Sequence, residues 1–120
     1  MNTNKKVLVV DDDATNRKFL NIVLKKKNIE VIEAENGSDA LNKLSPDISI
    51  VLLDIFMPVM NGIEFMKNLR TTKPELANIP VIVLSTDDTK KQEALSWGAT
   101  DFITKPVNPV NLLDKISKYL

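Results

Sequence analysis

The chain has 120 residues, of which 43% are hydrophobic, which fits one domain with a real core and leaves little room for a second. Lysine plus arginine equals aspartate plus glutamate at 16 each, so no net field points to nucleic acid or an anionic membrane as a partner. With no cysteine and no histidine, disulfides, thiol nucleophiles, zinc–thiolate sites and imidazole bases are excluded, and the chemistry falls to carboxylates, hydroxyls and lysines.

The start, Met1 to Lys6, is polar with no apolar signal core behind it, and no run approaches the length needed to span a bilayer. A single module over residues 1–120, soluble, cytoplasmic and without membrane insertion, is expected. Val7 to Val10 is β-branched and apolar throughout, which suits a strand buried on both faces of a parallel sheet. An abrupt acidic turn, Asp11 to Asp13, follows. From Ala14 to Lys27 the residues Phe19, Leu20, Val23 and Leu24 fall at helical spacing, with Asp13 placed to cap the first turn. Phe19, Leu20 and Leu113 read as core.

Val31 to Ala34 alternates more than the first run, as an edge strand would, and Asn36-Gly37 then turns into a helix over Ser38 to Leu44. Ile48 to Leu53 is again continuously apolar and ends on Asp54. Met57-Pro58 and Asn61-Gly62 break the chain before a helix over Ile63 to Leu69. Pro80 to Leu84 ends at Ser85 and leads through polar Thr86 to Thr89 into a helix with few apolar residues beyond Ala94 and Leu95. So thin an anchor suits a segment that moves. Gly98 is a helix stop, Phe102 to Thr104 a short last strand, and Asn108-Pro109 a cap and first helical position for a helix over Val110 to Tyr119. Trp97 and Tyr119 are either anchors for a partner or half-buried cover.

Five alternating strand and helix units imply right-handed crossovers and a parallel sheet with helices on both faces, an α/β doubly wound fold. The strand order 2-1-3-4-5 places the most apolar runs at the centre and the shorter, more polar second and fifth at the edges. In such a sheet ligands bind beyond the carboxyl ends of the strands. Four of the apolar runs stop there at residues that handle a phosphoryl group: Asp11 and Asp12, Asp54, Ser85 and Lys105.

Asp11, Asp12 and Asp54 gathered together repel one another, and a divalent cation relieves this. Mg²⁺ prefers oxygen ligands and is typically held by carboxylates together with phosphate oxygens. Three carboxylates, Mg²⁺ and Lys105 sum to zero formal charge, leaving metal, ammonium and hydroxyl to stabilise an arriving dianion. A carboxylate can itself be the nucleophile, forming an aspartyl-phosphate. Asp54, alone at the end of a central strand, is the best candidate, and Asp11 and Asp12 look like a metal-holding pair.

The segments VLVVDDD, DIFMPVMNG, PVIVLST and DFITKP, in this order and rough spacing, resemble the receiver domain of two-component response regulators, and the resemblance covers nearly the whole chain. It implies a flavodoxin-like sheet with five helices and a signalling switch, related to single-domain chemotaxis regulators, that catalyses only its own phosphorylation and dephosphorylation. Asp54 would accept the phosphoryl group from a histidine kinase or a histidine phosphotransfer protein. Asp12, Asp54 and the Phe56 backbone carbonyl would bind Mg²⁺ (or Mn²⁺), with Asp11 assisting mostly through water. Ser85 matches the switch hydroxyl, Lys105 the lysine that pairs with the phosphoryl group, and Phe102 an aromatic switch expected to turn inward on phosphorylation. Lys105-Pro106 resembles the family's cis peptide. Output is expected through docking of the fourth helix, fifth strand and fifth helix to another protein. Phe56 and Asp87, two residues after Asp54 and Ser85, would add bulk and negative charge that slow dephosphorylation.

Taken singly, these residues have plainer readings. An acidic triplet is often turn and cap, a strand-end serine a helix-start hydroxyl, a lysine a solvated charge and a phenylalanine core. Their shared place at strand ends favours the site. A second class also fits part of the chain: Asp11-x-Asp13-x-Thr15 after an apolar strand resembles the nucleophile motif of haloacid-dehalogenase-type phosphohydrolases, with Asp11 as nucleophile. That family needs an acidic pair downstream of the lysine, where only Asp114 stands, inside a helix pattern. A degenerate receiver used only for binding is a third class, and the active residues it would lack are all present.

Overall fold

The computed structural model describes residues 5–55, 62–72, 74–76 and 78–120. Among them, five strands alternate with five α-helices: β1 Lys5–Val10, α1 Ala14–Lys25, β2 Ile29–Ala34, α2 Gly37–Lys43, β3 Ile50–Asp54, α3 Gly62–Thr72, β4 Val81–Ser85, α4 Lys91–Ser96, β5 Asp101–Thr104 and α5 Pro109–Ser117. Single 3-10 turns, Pro74–Leu76 and Asp88–Lys90, precede β4 and α4. The strands are all parallel in the order β2-β1-β3-β4-β5, as the apolar patterning requires.

The continuous apolar runs are buried on both faces, because successive side chains of a strand point to opposite sides. Leu8, Val10, Val51, Leu53, Val81 and Val83 pack with Ala40 of α2 and Leu44 just after it, Phe65, Met66 and Leu69 of α3 and Ala94 of α4. Val7, Val9, Ile50, Leu52, Ile82, Leu84 and Ile103 face the other way, against Leu20, Val23 and Leu24 of α1 and Leu112 and Ile116 of α5. Each such side chain contributes about 1.5–3 kcal/mol when taken out of water, so sliding β1 or β3 by one residue would exchange the two layers at large cost.

Caps and turns fall where the sequence places them. Asp13 accepts from the Thr15 amide at 2.9 Å, and the Asn108 side chain accepts from Val110 and Asn111 ahead of a helix with proline in its first turn. Gly98 ends α4 at φ 98°, a backbone conformation that glycine adopts without penalty. Boundaries shift by a few residues. Helix α1 stops at Lys25 rather than Lys27 because Asn28 takes φ 60° while the Lys27 amide closes on the Leu24 carbonyl at 3.0 Å, an asparagine terminator rather than a glycine one.

One core expectation fails. Phe19 is 40% exposed, as is its neighbour Ile22 at 49%, since α1 buries the stripe of Leu20, Val23 and Leu24 and the two outer apolar residues flank it on the solvent side. Leu113 is partly buried, packed against the same layer. Helix α4 buries only Ala94, with Leu95 partly covered, and its C-terminal Trp97 is met by the Lys67 ammonium of α3, 4.4 Å from the ring centroid.

Candidate functional site

The register of the sheet brings the strand ends together: Val10 pairs with Leu53, Asp54 with Leu84, and Ser85 with Thr104. One residue beyond β1, the Asp11 amide still donates to Ala34 of β2 at 3.0 Å, and one beyond β5 the Lys105 amide donates to Ser85 at 2.8 Å. The polar residues that follow each apolar run therefore share one crevice, where charge and hydroxyl groups occupy positions that packing has already fixed.

Asp11, Asp12 and Asp54 each offer a carboxylate oxygen to a common point, these atoms lying within 4.8 Å of one another. Asp11 and Asp54 are buried, at 2% and 7% exposure, whereas Asp12 faces solvent. Lys105 stands between the two buried acids, its Nζ 3.4 Å from Asp11 Oδ2 and 3.6 Å from Asp54 Oδ2. The other Asp11 oxygen, Oδ1, accepts from the Asp13 amide at 2.9 Å, so the acidic turn is closed on itself. The Lys105–Pro106 peptide is cis. An all-oxygen donor set carrying three negative charges against one lysine suits a hard divalent cation such as Mg²⁺.

Ser85 is fully buried, and its Oγ accepts from the Asp87 amide at 3.0 Å. Its own donation to the Asp87 carbonyl spans 3.5 Å, a poor hydrogen bond, so the hydroxyl proton is available to a better acceptor in the crevice. The Asp87 carboxylate turns into its own loop, where Oδ1 takes the Thr89 amide at 2.9 Å and the Thr89 hydroxyl. The Thr89 hydroxyl first, then its amide, hold the Asp87 carboxyl below the ordinary carboxylate value.

Phe102 is 7% exposed and already packs inward, in the layer that contains Ala94 and Ala99. The ring expected to turn inward on phosphorylation is thus already covered while the Ser85 hydroxyl is held by its loop. Phe56, expected to lend its carbonyl to the metal, lies outside the described residues, as do Met57, Pro58 and Met60.

Two supports of the site were not read from the sequence as such. Gly62, seen there only as a chain breaker, packs against the backbone that follows the phosphoacceptor candidate: a Cβ there would lie 2.9 Å from Ile55 Cα and 3.0 Å from the Asp54 carbonyl oxygen. Its amide donates to Ile55 at 2.9 Å. Arg17 of α1 donates from Nη1 to the Asp11 carbonyl at 2.7 Å; an arginine inside a helix pattern carried no signal of this.

Buried carboxylates at a sheet's carboxyl edge, a lysine shared between them and a hydroxyl beside them make an acidic pocket suited to a divalent cation, in a doubly wound α/β fold. The response regulator receiver domain matches residues 7–117, and the chain belongs to that family of phosphorylation-dependent signalling proteins. Protein PilH of Pseudomonas aeruginosa is 38% identical over 120 residues, covering 96% of this chain and 97% of that protein. The structure of the chemotaxis response regulator CheY4 of Vibrio cholerae superposes with a TM-score of 0.89 at 36% identity, covering 98% of this chain and all of that one. The response regulator TrrA of Thermotoga maritima, solved in complex with Mg²⁺-BeF, gives a TM-score of 0.84 at 33% identity over 97% of this chain and 99% of that one. Other relatives are longer: the chain spans 17% of the sensor kinase/phosphatase CqsS of Vibrio cholerae, 36% of a protein-glutamate methylesterase of Halalkalibacterium halodurans and 50% of a CpxR homologue of Haemophilus influenzae.

The phosphohydrolase alternative finds no counterpart. Asp114, the acid it would need at a strand end, lies exposed on α5.

Proposed function

We propose that Asp54 accepts a phosphoryl group from the phosphohistidine of a histidine kinase or histidine phosphotransfer protein, with Mg²⁺ (or Mn²⁺) held by Asp11, Asp12, Asp54 and the Phe56 carbonyl. The observation that carries this is the buried Asp54 at the end of a central strand, 3.6 Å from Lys105 and within one ion's reach of Asp11 and Asp12. When bound, the cation supplies positive charge that offsets the clustered carboxylates and polarises the phosphoryl oxygens. An Asp54 oxygen bonds to phosphorus as the donor's phosphorus–nitrogen bond breaks, its electron pair leaving with the imidazole. Lys105 then neutralises one phosphoryl oxygen, and Ser85 exchanges its 3.5 Å contact with Asp87 for a charged acceptor.

That exchange pulls on the loop that carries Asp87 and opens into α4. With Ala94 as the one fully buried apolar residue of α4, a small pull shifts the balance between two placements of this helix, and the covered Phe102 ring repacks with it. The surface of α4, β5 and α5 is the face read by a downstream protein. The module is a switch in the cytoplasm that catalyses only its own phosphorylation and dephosphorylation; the balanced charge gives no reason for direct nucleic-acid binding, and no described helix is long and apolar enough to cross a membrane. Labelling with acetyl phosphate in Mg²⁺ is expected for the wild type and lost in Asp54→Asn. Label that survives in Asp54→Asn overturns the assignment.

A further inference from the structure

We infer that Arg17 is a positioning residue for the metal-holding turn: anchored on Glu33 of β2, its guanidinium holds the Asp11 carbonyl and so sets where Asp12 presents its carboxylate. This rests on the reading of the acidic cluster as a cation site. Beyond the Asp11 amide, which is paired to Ala34, the turn has left the sheet. The two Asp11 carboxylate oxygens are engaged by the Asp13 amide and Lys105. Asp12 is exposed, and among the described residues no hydrogen bond or ion pair holds its carboxylate. Its direction follows from its backbone, and the peptide that leads into it is the one whose carbonyl oxygen Arg17 Nη1 grips at 2.7 Å.

The grip is itself built. Arg17 Nε donates to Glu33 Oε1 at 3.0 Å, Asn21 Nδ2 donates to Glu33 Oε2 at 3.0 Å, and Lys43 Nζ donates to the Glu33 carbonyl at 2.7 Å. The planar guanidinium thus spans two acceptors on different elements, with its side chain only 16% exposed. A plain strut between α1 and β2 would need the ion pair but not the bond to Asp11. Residues that orient metal ligands from behind commonly change metal affinity about 10–100-fold when altered, which separates the two roles.

The test uses Arg17→Lys, which keeps the positive charge but, as a single ammonium, cannot hold both acceptors in the fork geometry. Mg²⁺ binding by titration calorimetry and Mn²⁺ binding by electron paramagnetic resonance, both on the unphosphorylated chain, are read beside urea unfolding without metal. Cation affinity is expected to fall about tenfold in Arg17→Lys while the unfolding midpoint stays close to the wild type. Glu33→Ala, which frees the guanidinium from its anchor, is expected to weaken binding about threefold and carries the test if Arg17→Lys does not fold. Affinities within about twofold of the wild type in these variants, whatever their stability, overturn the positioning role alone. A wild-type chain that binds neither cation overturns the reading of the site and this inference with it.

Discussion

Lys105→Met separates electrostatics from packing at the site. At an effective dielectric of about 20, unit charges at the 3.4 and 3.6 Å seen from Lys105 to Asp11 and Asp54 attract by about 5 kcal/mol each before desolvation. Desolvation of the ammonium cancels part of this, while removing one member of a buried pair typically costs about 3–5 kcal/mol because the other is left uncompensated. The lysine side chain is 17% exposed, so water screens the pair and the expected loss is about 2–3 kcal/mol at neutral pH. Methionine keeps much of the stem's packing and none of the charge. Urea unfolding in chelator is expected to show the full deficit. With Mg²⁺ at about a hundredfold over its dissociation constant, binding adds about 2.7 kcal/mol to a folded chain, and the variant, one positive charge poorer, binds more tightly and gains more. The deficit is therefore expected to shrink, by about 1.4 kcal/mol for each tenfold by which the variant binds Mg²⁺ more tightly than the wild type. A deficit below about 1 kcal/mol in chelator, or one that Mg²⁺ leaves unchanged, would refute the electrostatic account of Lys105.

Three further outcomes are expected. Gly62→Ala places a methyl 2.9 Å from Ile55 Cα, against backbone that cannot swing aside as a side chain could, so unfolding is expected to show a loss of about 1–3 kcal/mol and phosphorylation to slow through displacement of Asp54; a stability within about 0.5 kcal/mol of wild type would sink this. The Asp87 carboxyl titrates below the ordinary value of 3.8, so its stabilisation is present above that value and is lost as pH falls through the lower folded one. Asp87→Asn is accordingly expected to be less stable than wild type near neutral pH, with a gap that closes in acid; a gap independent of pH in urea titrations contradicts the sign. Lys67→Ala removes the cation over Trp97, a contact of about 0.5–1 kcal/mol at an exposed site. Faster amide exchange over residues 91–97 and a changed Trp97 emission are the expected signs, and an unaltered exchange profile would show that the stack does not hold α4.

Much of this protein was legible from residue order. Four-residue apolar runs cannot sit at a surface, and their alternation with helical spacing leaves the doubly wound sheet as the economical solution, with β2 and β5 at the edges for want of apolar residues. Asp54, Ser85 and Lys105 then follow as strand-end groups, because parallel strands in register share one carboxyl edge. Asp13 and Asn108 as caps are equally local: a side-chain oxygen reaches an amide two or three residues on whatever the rest of the fold does.

Other features depend on neighbours that sequence spacing does not name. Phe19 and Leu20 are adjacent and both apolar, yet the rotation of α1 against the sheet buries one and leaves the other 40% exposed. That Phe102 is covered follows from the layer it shares with Ala94 and Ala99, contributed by α4 and the segment after it. Glu33 meets Arg17 because the register sets Glu33 against Val9 at the sheet's edge, where the helix following β1 can reach it. By itself the sequence determined which side chains are drawn to the core and which groups stand at the strand ends, since burial and capping act over a few residues. Only the tertiary structure decided which charge faces which: Lys105 bridges Asp11 and Asp54 because strands far apart in the chain end side by side, and Arg17 reaches the nearby Asp11 carbonyl from a guanidinium that Glu33 of β2 anchors.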